Sequence, residues 1–138
     1  EVIEGIHKEG ALAGIHCCGN TDWGFLTQTK TDIINFDAYG FSESLLLYPE
    51  EIRAFLERGG AIAWGIVPTG SDINDISPED LIEKLNSTLK SLKAKGIDRK
   101  LISGHSLISP SCGLGSLGAE EGKMILKYAH KVSDHFKE

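Results

Sequence analysis

The thiol and imidazole groups that can do chemistry in this chain lie in two short segments far apart in the sequence. His16, Cys17 and Cys18 lie near the start, and Cys112 lies within residues 109–115. Side chains two residues apart share one face of a β-strand, so His16 and Cys18 are expected to project to the same side. Zinc binds such nitrogen and sulfur ligands, and a catalytic zinc site keeps one position for substrate. The pattern therefore predicts that His16, Cys18 and Cys112 hold one zinc ion.

Burial is the alternative explanation for each thiol taken singly, because free cysteine is among the most buried residue types. Cys17 points to the face opposite Cys18 in a strand, and packing against helices is the reading we assign to it. The chain contains no Cys-x-x-Cys pair, which argues against zinc-finger spacing. Three cysteines cannot close a disulfide framework, so reduced thiols are expected.

Composition and charge bound the remaining function classes. The chain has 138 residues, of which 41% are hydrophobic and 25% are charged, which is typical of one globular domain spanning 1–138. The net charge is −6, and no basic cluster occurs that would bind nucleic acid. No apolar stretch reaches the roughly 20 residues that span a bilayer, and no signal peptide opens the chain. We expect a cytoplasmic protein without nucleic-acid or membrane partners.

Apolar runs with strand character alternate with helical patterns along the whole chain. Such alternation predicts an α/β fold with a parallel sheet, and it places the candidate ligands at the carboxyl ends of their strands. Sites lie at that end in both (β/α) barrels and open sheets, and the absence of a Gly-x-Gly-x-x-Gly or Walker loop favours the barrel. The predicted strands are 11–18, 32–39, 61–67 and 106–109, and the principal predicted helices are 49–59, 78–96 and 119–136.

The same segments resemble a known enzyme family. Most of the chain is similar to the C-terminal half of the catalytic barrel of cobalamin-independent methionine synthase, and more closely to short relatives grouped with it and with uroporphyrinogen decarboxylase. The resemblance rests on 16–18 (H-x-C), 32–39 (D-I-I-N-F-D-A-Y), 64–69 (W-G-I-V-P-T) and 110–115 (P-S-C-G-L-G). It implies four βα units that form the C-terminal half of a (β/α)8 barrel.

The resemblance also implies a ligand set and an activity. In that family one His, two Cys and one carboxylate bind zinc, and the zinc binds the homocysteine thiol that accepts a methyl group. His16, Cys18 and Cys112 match the nitrogen and sulfur ligands, and Asp37 stands where the family has a glutamate. Because Asp is shorter than Glu, Glu43 or water is the alternative to Asp37. We therefore expect a zinc-dependent methyltransferase acting on a small thiol, as in methionine synthesis.

Other residues are predicted to contact the substrate. Tyr39 and Trp64 either line the substrate cavity or belong to the core. The family has a catalytic histidine after its third strand in this half, whereas this chain has Thr69 and Ser71 there, which we assign to substrate binding. The alternatives for function are a thiol methyltransferase with a methylated corrinoid donor and a non-catalytic zinc-binding remnant, since the folate-binding half is not in this chain.

A half barrel leaves two sheet edges and one sheet face uncovered, so a partner is expected. The candidates are an N-terminal half-barrel, a second copy of the chain, or a separate chain; a first residue other than Met favours the first of these. The sequence predicts that Ile34, Ile66 and Ile108, or their neighbours if the register differs by one, lie on the uncovered face.

Overall fold

Four short strands form a single sheet in a computed structural model, which describes residues 1–137 without the side chains of residues 71, 72 and 137. The strands are all parallel and lie side by side in chain order. This arrangement confirms the predicted α/β class with a parallel sheet. The strands are β1 (Gly14–Cys17), β2 (Ile33–Phe36), β3 (Ala61–Val67) and β4 (Ser106–Pro110).

Helices occupy the connections between the strands. The helix over residues 78–94 lies within the predicted range of 78–96, begins with a capping box formed by Ser77 and Asp80 and has Pro78 in its first turn. The helices are α1 (Val2–Lys8), α2 (Trp23–Gln28), α3 (Ala38–Leu45), α4 (Pro49–Glu57), α5 (Pro78–Ala94), α6 (Arg99–Gly104) and α7 (Ala119–Lys137), with a 3-10 helix over Ser71–Asp75.

The first two predicted strands are too long, and α3 and α6 lie where the sequence predicted no helix. The second strand ends at Phe36 rather than at residue 39, because the Asp37 carboxylate accepts a hydrogen bond from the Gly40 N–H and starts α3. Asp98 caps α6 in the same way. Polar residues that were read as strand or loop therefore serve as helix caps.

One face of the sheet packs against the helices and contains the core. Trp64 and Phe36 contact edge to face with ring centroids 5.7 Å apart, and Trp23 of α2 contacts Phe36 at 5.0 Å. All three are fully buried. The largest residues of the central strands face the helices because burying large apolar surface is the main favourable term in folding.

The opposite face of the sheet is more polar and more exposed. His16, Asn35, Ala63 and Leu107 stand in one cross-strand row on this face, and Leu107 is 50% exposed. Ile34, Ile66 and Ile108 were predicted as first choice for this face. Ile34 and Ile66 are instead buried on the helix side, and Ile108 pairs with Trp64 and packs against the same core, so the register is off by one. The predicted alternation of side chains between the two faces is correct. The aromatic residues that pack against the helices decide which residues face which side, so the neighbours of the predicted residues lie on the uncovered face.

No helix in the described part of the chain has both the length and the apolar character needed to cross a membrane.

Candidate metal centre

His16, Cys18 and Cys112 come together at the carboxyl ends of the two edge strands, as predicted. His16 lies in β1 and Cys18 follows that strand directly, while Cys112 lies two residues beyond β4. One ligand atom from each lies within 4.8 Å of the other two, and all three residues are exposed. This group can hold a metal ion, and it is the one His, Cys, Asp and Glu cluster of this kind among the described residues.

The distances within the group are close to those of a tetrahedral zinc site. The Sγ atoms of Cys18 and Cys112 are 3.8 Å apart. Two sulfurs at zinc-sulfur distances of about 2.3 Å and a tetrahedral angle would be about 3.8 Å apart. The His16 Nε2 lies 3.2 Å from the Cys18 Sγ, and zinc would require about 3.6 Å between these atoms. A shift of a few tenths of an ångström in exposed side chains would accommodate the ion.

The two thiols differ in acidity. The pKa of Cys112 is lowered, mainly because the His16 ring, when protonated on both nitrogens, donates a hydrogen bond to the Cys112 sulfur, and then by the backbone N–H of Gly113 and by Cys18. The pKa of Cys18 is raised, mainly by its hydrogen bond with Cys112, with desolvation and the neighbouring thiols adding to this. The two thiols interact closely, so the loss of the first proton is a property of the pair and not of one residue. Since the pKa of Cys112 is lowered and that of Cys18 is raised, the negative charge is then mainly on Cys112. A thiolate is the form that binds metal.

The Cys112 segment is held by a close approach of the main chain to β3. An added Cβ at Gly65 would lie 2.3 Å from the Phe36 carbonyl oxygen and 2.9 Å from the Ser111 Cα. The strand register shifts between Gly65 and Val67, and the Ser111 N–H donates to the Val67 carbonyl. Only glycine fits at position 65, and this allows the chain after β4 to cross β3 and bring Cys112 toward β1.

Asn35 is a site residue that the sequence analysis did not identify. Its Oδ1 lies 2.6 Å from the His16 Nδ1, and its Nδ2 donates to the Ala63 carbonyl and to the Ser109 Oγ, both at 2.9 Å. The available signal was a lone amide inside an apolar strand, in the residue row that pairs with His16. Without the pairing register, that signal could not be connected to the histidine.

Asp37 does not join the metal-binding group in the structure. It lies one residue beyond β2, and its Oδ1 accepts the Gly40 N–H at 2.8 Å as the N-cap of α3. Ligation by Asp37 would require this cap to break. Glu43, the alternative carboxylate, is exposed on α3 and is also outside the group. Among the described residues, the group that could hold a metal ion thus consists of His16, Cys18 and Cys112, without a carboxylate.

The predicted substrate-binding residues are dispersed. Tyr39 lies on α3 with Lys84 over its ring at 4.7 Å, and Trp64 is fully buried on the helix side with its Nε1 donating to Ser106. Thr69 contacts the segment that carries Cys112, because its hydroxyl lies 3.4 Å from that of Ser111. The Ser71 side chain lies outside the described part of the chain. Tyr39 lies on α3 because β2 ends at Phe36, before the predicted end of the strand at residue 39. Trp64 is buried because its side chain is on the helix-facing side of β3.

Cys17 packs against the core and its Sγ lies 3.4 Å from the Gly19 carbonyl. It points away from the three-residue group, as the sequence predicts from strand alternation.

Comparisons with protein-family models, curated protein sequences and solved structures give no significant match.

Proposed function

We propose that this chain provides the zinc centre of a methyltransferase that methylates a small thiol such as homocysteine. The observation that carries the proposal is the convergence of two thiols and one imidazole, with the sulfurs 3.8 Å apart, at the carboxyl end of a parallel sheet. Active sites lie at this end in α/β proteins. The resemblance to methionine synthase in residues 16–18 and 110–115 supports the same chemistry.

The donor set suits thiol activation better than hydrolysis. Zinc held by His16, Cys18 and Cys112 would deprotonate a bound thiol at neutral pH, where a free thiol with a pKa of about 8.5 is mostly protonated. Two thiolates already balance the charge of Zn²⁺, which weakens its Lewis acidity and leaves an added thiolate nucleophilic. The thiolate sulfur would form the new bond to the methyl carbon, and the donor, a folate or a corrinoid, would retain the electron pair of the broken bond.

Cobalt substitution tests thiol binding at the metal. In protein loaded with Co²⁺, the thiolate-to-metal absorption band is expected to change when homocysteine is added, because the thiol enters the fourth position. The Cys17→Ser protein, loaded in the same way, is the matched control and should respond like the unaltered chain. A cobalt spectrum that stays unchanged across a panel of small thiols would support a structural metal site instead.

We also propose that the four βα units are half of a (β/α)8 barrel. Support comes from the sequential parallel order of the strands and from one sheet face that carries His16, Asn35 and the half-exposed Leu107. A cavity of about 590 Å³ beside the β4 edge is lined in part by Leu107 and Phe136. A full barrel requires about 250 residues, so a second half would cover this face, and an N-terminal half-barrel, a second copy of the chain and a separate chain are the candidates.

Light scattering during size-exclusion chromatography tests the half-barrel proposal. The chain alone is expected to form dimers or larger assemblies rather than stable 15.0 kDa monomers, because exposed edges of a sheet pair with other chains. A monodisperse monomer of 15.0 kDa with a cooperative thermal transition would contradict the proposal.

A further inference from the structure

We infer that Asn35 selects the nitrogen of His16 that binds the metal and holds the ring in place for it. The inference rests on the proposed metal site and concerns a residue outside the ligand set. Asn35 is half-buried in the middle of the sheet face and reaches three groups, one on each of the other strands: His16 on β1, Ala63 on β3 and Ser109 on β4.

The orientation of the Asn35 amide follows from its partners. The Ala63 carbonyl can only accept a hydrogen bond, so the amide group 2.9 Å from it must be the NH₂ group. The same NH₂ group donates to the Ser109 Oγ, whose own hydrogen is directed to the Pro110 carbonyl at 3.0 Å. The amide oxygen is therefore the atom that faces the His16 Nδ1.

The histidine tautomer follows from the amide orientation. An amide oxygen is an acceptor, so the His16 Nδ1 at 2.6 Å must carry the hydrogen. In the neutral ring the lone pair is then on Nε2, which is the atom 3.2 Å from the Cys18 Sγ. Metal-binding histidines commonly donate their second ring N–H to such a partner, which fixes the tautomer and the ring orientation. Nε2 is thus ready to bind metal before the ion arrives.

The network also connects the two ends of the site. Ser109 accepts from Asn35 and lies three residues before Cys112, so one hydrogen-bonded chain joins the His16 ring to the strand that leads to the Cys112 thiol. A single amide in the sheet centre therefore positions ligands from both edge strands, and it does so from the position that pairs with His16 across β1 and β2.

The first test uses the metal-free protein. In the neutral form of the ring, which a pH series of nitrogen-15 NMR spectra identifies, the His16 Nδ1 should be the protonated nitrogen and Nε2 the unprotonated one. In Asn35→Asp the carboxylate still accepts the Nδ1 hydrogen, so the same signature is expected. In Asn35→Leu the preference should be lost. A wild-type ring protonated on Nε2 would overturn the inference.

The second test measures zinc affinity by chelator competition. Asn35→Leu should bind zinc about 10- to 100-fold more weakly, as is typical when the partner of a ligating histidine is removed. Asn35→Asp should recover most of that loss, whereas a merely structural role would make both variants equally weak. Asn20→Ala, an exposed amide two residues beyond Cys18, is the control and should bind like the unaltered chain.

The two proposals fail in different ways. If the unaltered chain shows the expected tautomer but binds no zinc, the proposed function is wrong and the positioning by Asn35 stands as a property of the ring. If the unaltered chain binds zinc and Asn35→Leu binds it equally tightly, the inference about Asn35 is wrong. If Asn35→Leu does not fold, as judged by its proton–nitrogen spectrum, the wild-type tautomer and the Asn35→Asp affinity decide the question.

Discussion

Cys112→Ser is expected to lower the zinc affinity of this protein by more than about 100-fold, since removing even an outer partner of a ligand costs 10- to 100-fold. Among the described residues, Cys112 is the one member of the group of His16, Cys18 and Cys112 that lies in the second half of the chain, and its pKa is lowered by His16 and the Gly113 N–H. A serine hydroxyl keeps the size of the side chain but stays protonated at neutral pH. The measurement is zinc competition against a chromophoric chelator.

Cys17→Ser is the matched control for this loss. It removes a thiol from the same protein, one residue from a ligand, but the Cys17 side chain packs toward the core and lies outside the three-residue group. The Cys17→Ser protein should bind zinc as tightly as the unaltered chain. Equal weakening by the two substitutions would contradict the assignment of Cys112 as a ligand.

The second large effect is expected in the metal-free protein under oxidation. Treatment with glutathione disulfide should link Cys18 to Cys112, because the exposed Sγ atoms are already 3.8 Å apart. The Cys112 thiolate attacks the glutathione disulfide and releases one glutathione, and Cys18 then displaces the second. The protein loses two protons and two electrons, and glutathione disulfide takes them up to become two glutathione molecules. Mass spectrometry of alkylated peptides identifies the linked residues.

Zinc and the remaining cysteine provide the controls for the oxidation. Bound zinc should slow the reaction strongly, since both sulfurs would then be engaged by the metal. Cys17→Ser should still form the link, while Cys18→Ser should stop at one glutathione attached to Cys112. Finding Cys17 in the main intramolecular disulfide, or no intramolecular disulfide in metal-free protein, would show that the two thiols do not meet in solution.

The grouping of His16, Cys18 and Cys112 could be predicted from the sequence because it depends only on simple rules. His16 and Cys18 share a face through the two-residue period of a strand. Cys112 follows a second apolar run that ends at Pro110, and parallel strands bring their carboxyl ends to one edge of the sheet. None of these rules requires the register of the strands, which is why they were sufficient.

The rest of the site depends on where the strands end and how they pair, which the sequence did not define. Asp37 and Tyr39 were predicted to extend the second strand, but the Asp37 carboxylate caps α3 and turns the chain at Phe36. The contact between Asn35 and His16 follows from their pairing across β1 and β2, which the sequence does not reveal. Ile34 was assigned to the wrong face because an apolar run in a parallel strand does not reveal its phase.

The most direct test of the zinc centre is metal analysis with X-ray absorption spectroscopy on protein purified without chelators. We expect one zinc per chain, with two sulfur ligands at about 2.3 Å and a nitrogen ligand at about 2.0–2.1 Å. Protein that cannot be loaded with zinc, or a zinc ion surrounded by oxygen and nitrogen atoms alone, would contradict it.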